Sequence, residues 1–263
     1  MKFSVAAGLV PAIWIDRCPA TRAGATLLAL LLAATGVFAD EPEPKSPRFD
    51  PTNRYEPQEI HGWTVLVNRT LSDDHPDLCD ETLGLLRFQL YQITRVVPKP
   101  AVEKLRKIKV WVEYRESHHP CMCYHPDPRW LRSHDMNPEK ARGIEIANAK
   151  NFLTWTIAQP WMVLHELAHG YHHQFLDNGY DNADVLEKFR AAKDAKSYES
   201  VLRIQGRRER HYALTNQMEY FAEATEAYFG TNDFYPFVRS ELREHDPEFE
   251  KLLGQLWSGK SEE

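Results

Sequence analysis

Five consecutive residues, His165-Glu166-Leu167-Ala168-His169, form the pattern HExxH. On a helix, imidazoles at i and i+4 point the same way, one turn apart, and can grip a single Zn²⁺. Glu166 follows the first histidine, roughly 100° round the helix, where its carboxylate can reach a metal-bound water. Trp161, Val163, Leu164, Leu167 and Ala168 are apolar and predict that this helix is buried. Two histidines and a glutamate in a core helix need partners, because unpaired polar groups are costly to desolvate. A chain with 12 histidines gives such a pattern by chance about once in twenty random orders. The neighbouring residues therefore have to decide.

A third ligand is needed. The long metzincin motif would place Gly at 172 and His at 175, but the chain has His172 and Phe175. His172 shares the face of His165 and could be a fourth ligand, yet four protein ligands would close the metal to substrate. Lining or packing near the site is the reading that keeps the metal open. Downstream, Glu219 and Glu223 stand at i and i+4, among Met218, Phe221, Ala222 and Tyr228. Like charges at that spacing repel unless something cationic sits beside them. A zinc ion and its imidazoles would supply that, with Glu219 on the metal and Glu223 accepting the N–H of a ligand histidine. The alternative is a solvated acidic stripe at a helix N-terminus, with Asn216 and Glu219 as a capping box.

Tyr212, Asn216, Glu219 and the string Tyr220-Phe221-Ala222-Glu223-Ala224, taken with HExxH, carry a resemblance. Over about the last 100 residues the chain resembles the catalytic domain of anthrax lethal factor and its relatives, zinc endopeptidases whose third ligand is a glutamate. The resemblance implies His165, His169 and Glu219 on zinc, one ion per chain, and Glu166 as general base. It also implies Tyr212 as a phenol that stabilises the oxyanion or protonates the leaving group. That toxin's receptor-binding and substrate-docking regions have no counterpart here, so its substrates do not transfer. Three protein ligands leave a fourth position for water, whose proton Glu166 would take as it attacks the scissile carbonyl.

A second cluster of metal-type residues lies upstream: His118, His119, Cys121, Cys123 and His125. A Cys…HExxH layout is also that of peptide deformylases, but their Glu-Gly before the cysteine is missing. A disulfide or a loop cluster is preferred here to a second metal. Cys79, Cys121 and Cys123 are an odd count, which in an exported protein suggests one disulfide and one leftover thiol.

The elements that position these residues follow from periodicity. Trp63, Val65 and Val67 alternate in a strand within 60–68, and Leu83, Leu86, Leu90, Ile93 and Val97 stripe a helix. A strand at 108–114 completes a strand–helix–strand start. Residues 115–142, rich in His, Pro and Cys, read as a long loop, and 143–148 as a short strand. Helical patterns then cover 159–176, 182–196, 215–229 and 238–257. The predicted class is α+β: a small mixed sheet early, a mainly helical C-terminal half, and a zincin-like domain over 59–263. By analogy with zincins, the strand at 143–148 is the substrate-binding edge strand and Asn148 a contact for an extended peptide.

The N-terminus reads as a processing signal. Lys2, Arg17 and Arg22 precede an apolar stretch at 23–39, and small residues stand before Asp40. Residues 1–39 are therefore expected to be a signal peptide, or else an uncleaved membrane anchor, and the proline-rich 40–58 a linker. Removing residues 1–39 moves the net charge from −6 to −8. That sign excludes nucleic-acid binding by phosphate neutralisation, and no later run is long enough to span a membrane. The expectation is an exported zinc endopeptidase whose partner is a peptide or protein substrate. Alternatives are a non-catalytic zinc-binding domain on the same scaffold and a zinc amidohydrolase of non-protein amides.

Overall fold

Residues 49–259 are described by the computed structural model of the chain; the stretch expected to be a signal peptide and the start of the expected linker lie outside them. The sheet begins earlier than the sequence suggests. Strand β1 (Tyr55–Ile60) takes residues read as linker and pairs antiparallel with β2 (Trp63–Asn68). Both turn residues have positive φ, His61 at 50° and Gly62 at 89°, the combination a two-residue type I′ hairpin needs.

Asn68 ends β2 and caps the next helix, its side chain accepting from Thr70 N–H at 2.8 Å. Three helices follow: α1 (Arg69–Asp74), α2 (Pro76–Val96) and α3 (Lys99–Leu105). They cross over to β3 (Val110–Val112), which runs parallel to β2. The expected long loop holds two elements, β4 (Met122–Tyr124) and α4 (Pro128–Ser133). A three-residue strand buried on both sides leaves no alternation to read.

β5 (Ile144–Ile146) is parallel to β3 and antiparallel to β4, which gives the sheet order β1-β2-β3-β5-β4. The expected edge strand is therefore interior, and β4 is the edge at that end of the sheet. Asn148 lies beyond β5 and caps α5 (Ala149–Trp155), accepting from Asn151 N–H at 2.9 Å. Its polar side chain follows a strand because it starts a helix.

Register divides the sheet into faces. Val65, Val110, Ile144 and Tyr124 form one row across it, and Val67, Val112, Ile146 and Met122 another. Both rows belong to the main core. The row between them, Leu66, Trp111, Glu145 and Cys123, points the other way.

Against the first face lies α6 (Met162–Phe175), buried at every position from Met162 to His172. It approaches closely because Gly170 has no side chain: a Cβ there would meet Ile108 Cδ1 at 2.6 Å and Tyr124 Cε2 at 3.1 Å. α7 (Ala183–Ala195), the two-residue strands β6 (Val201–Leu202) and β7 (Arg208–Glu209), and α8 (Gln217–Phe229) follow. The pattern expected as one helix over 238–257 is two, α9 (Arg239–His245) and α10 (Pro247–Ser258). Pro247 forces the break, since it disfavours helical backbone at Asp246, which instead caps α10 by accepting from Phe249 N–H. Among the described residues no helix is long and apolar enough to cross a membrane.

Candidate metal centre

The centre is built where α6 meets α8. No side chain of Trp161 caps α6, but Gln89 on α2 accepts from Val163 N–H at 3.3 Å and satisfies one donor of its first turn. At α8, the Asn216 side chain accepts from both Met218 N–H and Glu219 N–H at 2.9 Å. That cap places Glu219 in the first turn, where the helix dipole favours negative charge.

His165, His169 and Glu219 converge. Nε2 of His165 lies 3.1 Å from Nε2 of His169 and 3.1 Å from Glu219 Oε2, and His169 Nε2 is 3.4 Å from that oxygen. Tetrahedral donors at about 2.0–2.1 Å from zinc stand about 3.3–3.4 Å apart, so the triangle has the size such an ion requires. Two ring nitrogens facing each other at 3.1 Å in a buried site also suit a shared cation better than a pair of N–H groups. Burial alone would raise the Glu219 carboxyl, but the His169 charge and the hydrogen bonds from both rings outweigh it and hold it well below the usual range.

The other nitrogen of His165 has its own partner. Nδ1 donates to Glu226 Oε1 at 2.6 Å, while Glu223 Oε1 stands at 3.7 Å. The expected role of Glu223 therefore falls to Glu226, one turn further along α8. Burial, and then the Glu226 charge, push the Glu223 carboxyl well above its ordinary value. Glu223 Oε2 is buried without a hydrogen bond, 3.8 Å from His211 Nδ1. The sequence already held a signal for Glu226: it is seven residues past Glu219 and returns to the same helix face.

Glu166 is buried beside His165 on α6. Tyr212, in a 3-10 turn over Tyr212–Leu214, donates to Glu219 Oε1 at 3.5 Å. His172 is not part of the donor group. It is fully buried against Phe221 and Tyr180, at ring distances of 4.8 and 5.2 Å. Burial, with the nearby His169 and His173, lowers its pKa to about 3, so it stays neutral. Asn148 is at the cap of α5 and belongs to neither helix of the centre. The donor set, two imidazoles and a carboxylate with a second buried carboxylate behind them, can bind and orient a borderline divalent ion.

Comparison of the chain with protein-family models, with curated proteins and with solved structures finds no significant match.

Proposed function

We propose that this chain is an exported zinc-dependent endopeptidase with a zincin-like catalytic domain. The observation that carries the reading is the triangle of His165 Nε2, His169 Nε2 and Glu219 Oε2, at 3.1–3.4 Å, with Glu166 on the same buried helix. The separation of His172 from that group supports an open coordination position and weighs against a closed structural site.

A zinc ion held there would supply a Lewis acid. The remaining chemistry belongs to the protein. Glu166 takes a proton from the attacking water and later delivers it to the departing amine. The Tyr212 phenol donates to the oxyanion that develops on the scissile carbonyl. Glu226 accepts the Nδ1 proton of His165 and so keeps Nε2 available as a ligand.

The test is digestion of an unbiased peptide library by the full chain, with and without a chelator, alongside Glu166→Gln. Chelator-sensitive cleavage lost in Glu166→Gln at unchanged zinc content supports the reading. Retained cleavage in that variant removes Glu166 as the base, and a zinc-loaded chain that cleaves no peptide overturns the activity.

A further inference from the structure

β4 turns its residues to opposite sides of the sheet. Tyr124 lies against α6, its hydroxyl 2.8 Å from His173 Nδ1, and the adjacent Cys121 Sγ is 3.5 Å from Met162 Sδ. Cys123 points the other way, opposite Glu145 in the register. There it meets His119, from the segment entering β4, and His125, from the segment leaving it. One donor atom from each of the three lies within 4.8 Å of the others.

All three residues are buried, at 5 %, 3 % and 1 % exposure for His119, Cys123 and His125. Buried polar atoms normally find hydrogen-bond partners. His119 Nε2 and His125 Nδ1 have none.

The opposite nitrogen of His125 is 2.6 Å from Glu145 Oε2 and 3.5 Å from Cys123 Sγ. Glu145 is fully buried and contacts Lys140 through its other oxygen. A carboxylate that orients a histidine is the usual outer partner of a metal ligand.

We propose that His119, Cys123 and His125 form a second metal site, on the sheet face turned away from α6, with Glu145 orienting His125. Two imidazoles and a thiolate suit Zn²⁺ or a similar borderline-soft divalent ion, not Mg²⁺ or Ca²⁺. Binding releases the Cys123 thiol proton to solvent. The ion ties both flanks of β4 together and so braces the edge strand. The inference does not depend on the function proposed for the first centre.

Cobalt substitution reads the thiolate directly. The full-length His165→Ala/His169→Ala chain, which lacks the first centre, is loaded with Co²⁺ and scanned in the near ultraviolet. A thiolate-to-cobalt charge-transfer band is expected, together with one retained equivalent of zinc in the zinc-loaded form. The band should vanish in Cys123→Ser, survive in Cys121→Ser, and need on the order of tenfold more metal in His119→Ala. No band in the folded parent overturns the site whether or not the cysteine variant folds. A band that survives Cys123→Ser assigns the ligand elsewhere and overturns it equally.

Discussion

His165 Nδ1 donates to Glu226 Oε1 at 2.6 Å, while Glu223, one turn nearer the metal centre on the same helix, stands at 3.7 Å. The consequence is a division of labour along α8: Glu219 joins the group that could hold a metal ion, and Glu226 holds His165 of that group. Removing an outer carboxylate of this kind costs about 10–100-fold in metal affinity. Glu226→Ala is expected to show that loss in competition with a chromophoric chelator. Glu223→Gln, at a carboxyl that burial and the Glu226 charge push well above its ordinary value, should stay close to wild type; the reverse ranking would return the role to Glu223.

Tyr212 reaches the centre through Glu219 Oε1 at 3.5 Å. If its phenol serves the oxyanion, Tyr212→Phe removes one donor and lowers kcat by about 10²–10³-fold. KM and zinc content should change little. Steady-state kinetics on any peptide recovered from the library separates this from a packing role, which would leave kcat nearly intact.

On the far face of the sheet Lys140 serves two buried carboxylates, Glu113 at 2.5 Å and Glu145. Glu113 also accepts from Tyr55 and, at 2.8 Å, from Asn68 Nδ2. Lys140→Met leaves both acids without their cation, and breaking a buried pair this way costs about 3–5 kcal/mol. Denaturant unfolding is the measurement. Adding Glu145→Gln to that background should recover part of the loss, and no recovery would mean the two groups are not energetically joined.

His211 makes stability depend on pH in one direction. Burial, with the nearby His245, lowers its pKa from 6.5 to about 3, and its Nδ1 accepts from Ala213 N–H at 3.1 Å. Below its ordinary value the unfolded chain binds a proton that the folded chain refuses. The contribution is therefore whole above pH 6.5 and is lost as pH falls toward 3, by at most about 1.4 kcal/mol per pH unit. His211→Asn keeps an acceptor for Ala213 N–H but does not titrate. Its melting temperature should fall less steeply than wild type from neutral pH to about pH 4. Equal slopes would exclude His211 as the source.

What the sequence made legible was periodic or chemically dense. HExxH, the acidic face of α8 and the stripe of α2 each repeat along a helix, and the structure brings His165, His169 and Glu219 together. Short elements were not legible. β4 is three buried residues in a His-, Pro- and Cys-rich segment, so its composition reads as loop. Without β4, β5 looked like an edge and Asn148 like a substrate contact, because strand order is a long-range property that no local pattern records. Glu145 was visible as a lone acid in an apolar strand, but its partners Lys140 and His125 become apparent only once the strands pair. The disulfide expected from the cysteine count is not formed: Cys79, Cys121 and Cys123 are buried thiols.

The unbroken burial of α6 from Met162 to His172 has a kinetic side. A helix enclosed all round cannot peel away alone, so its amides should exchange with solvent only when the whole domain opens. His165 and His169 thus sit on backbone that should open only with the domain, so the geometry that presents them does not depend on a locally fraying element.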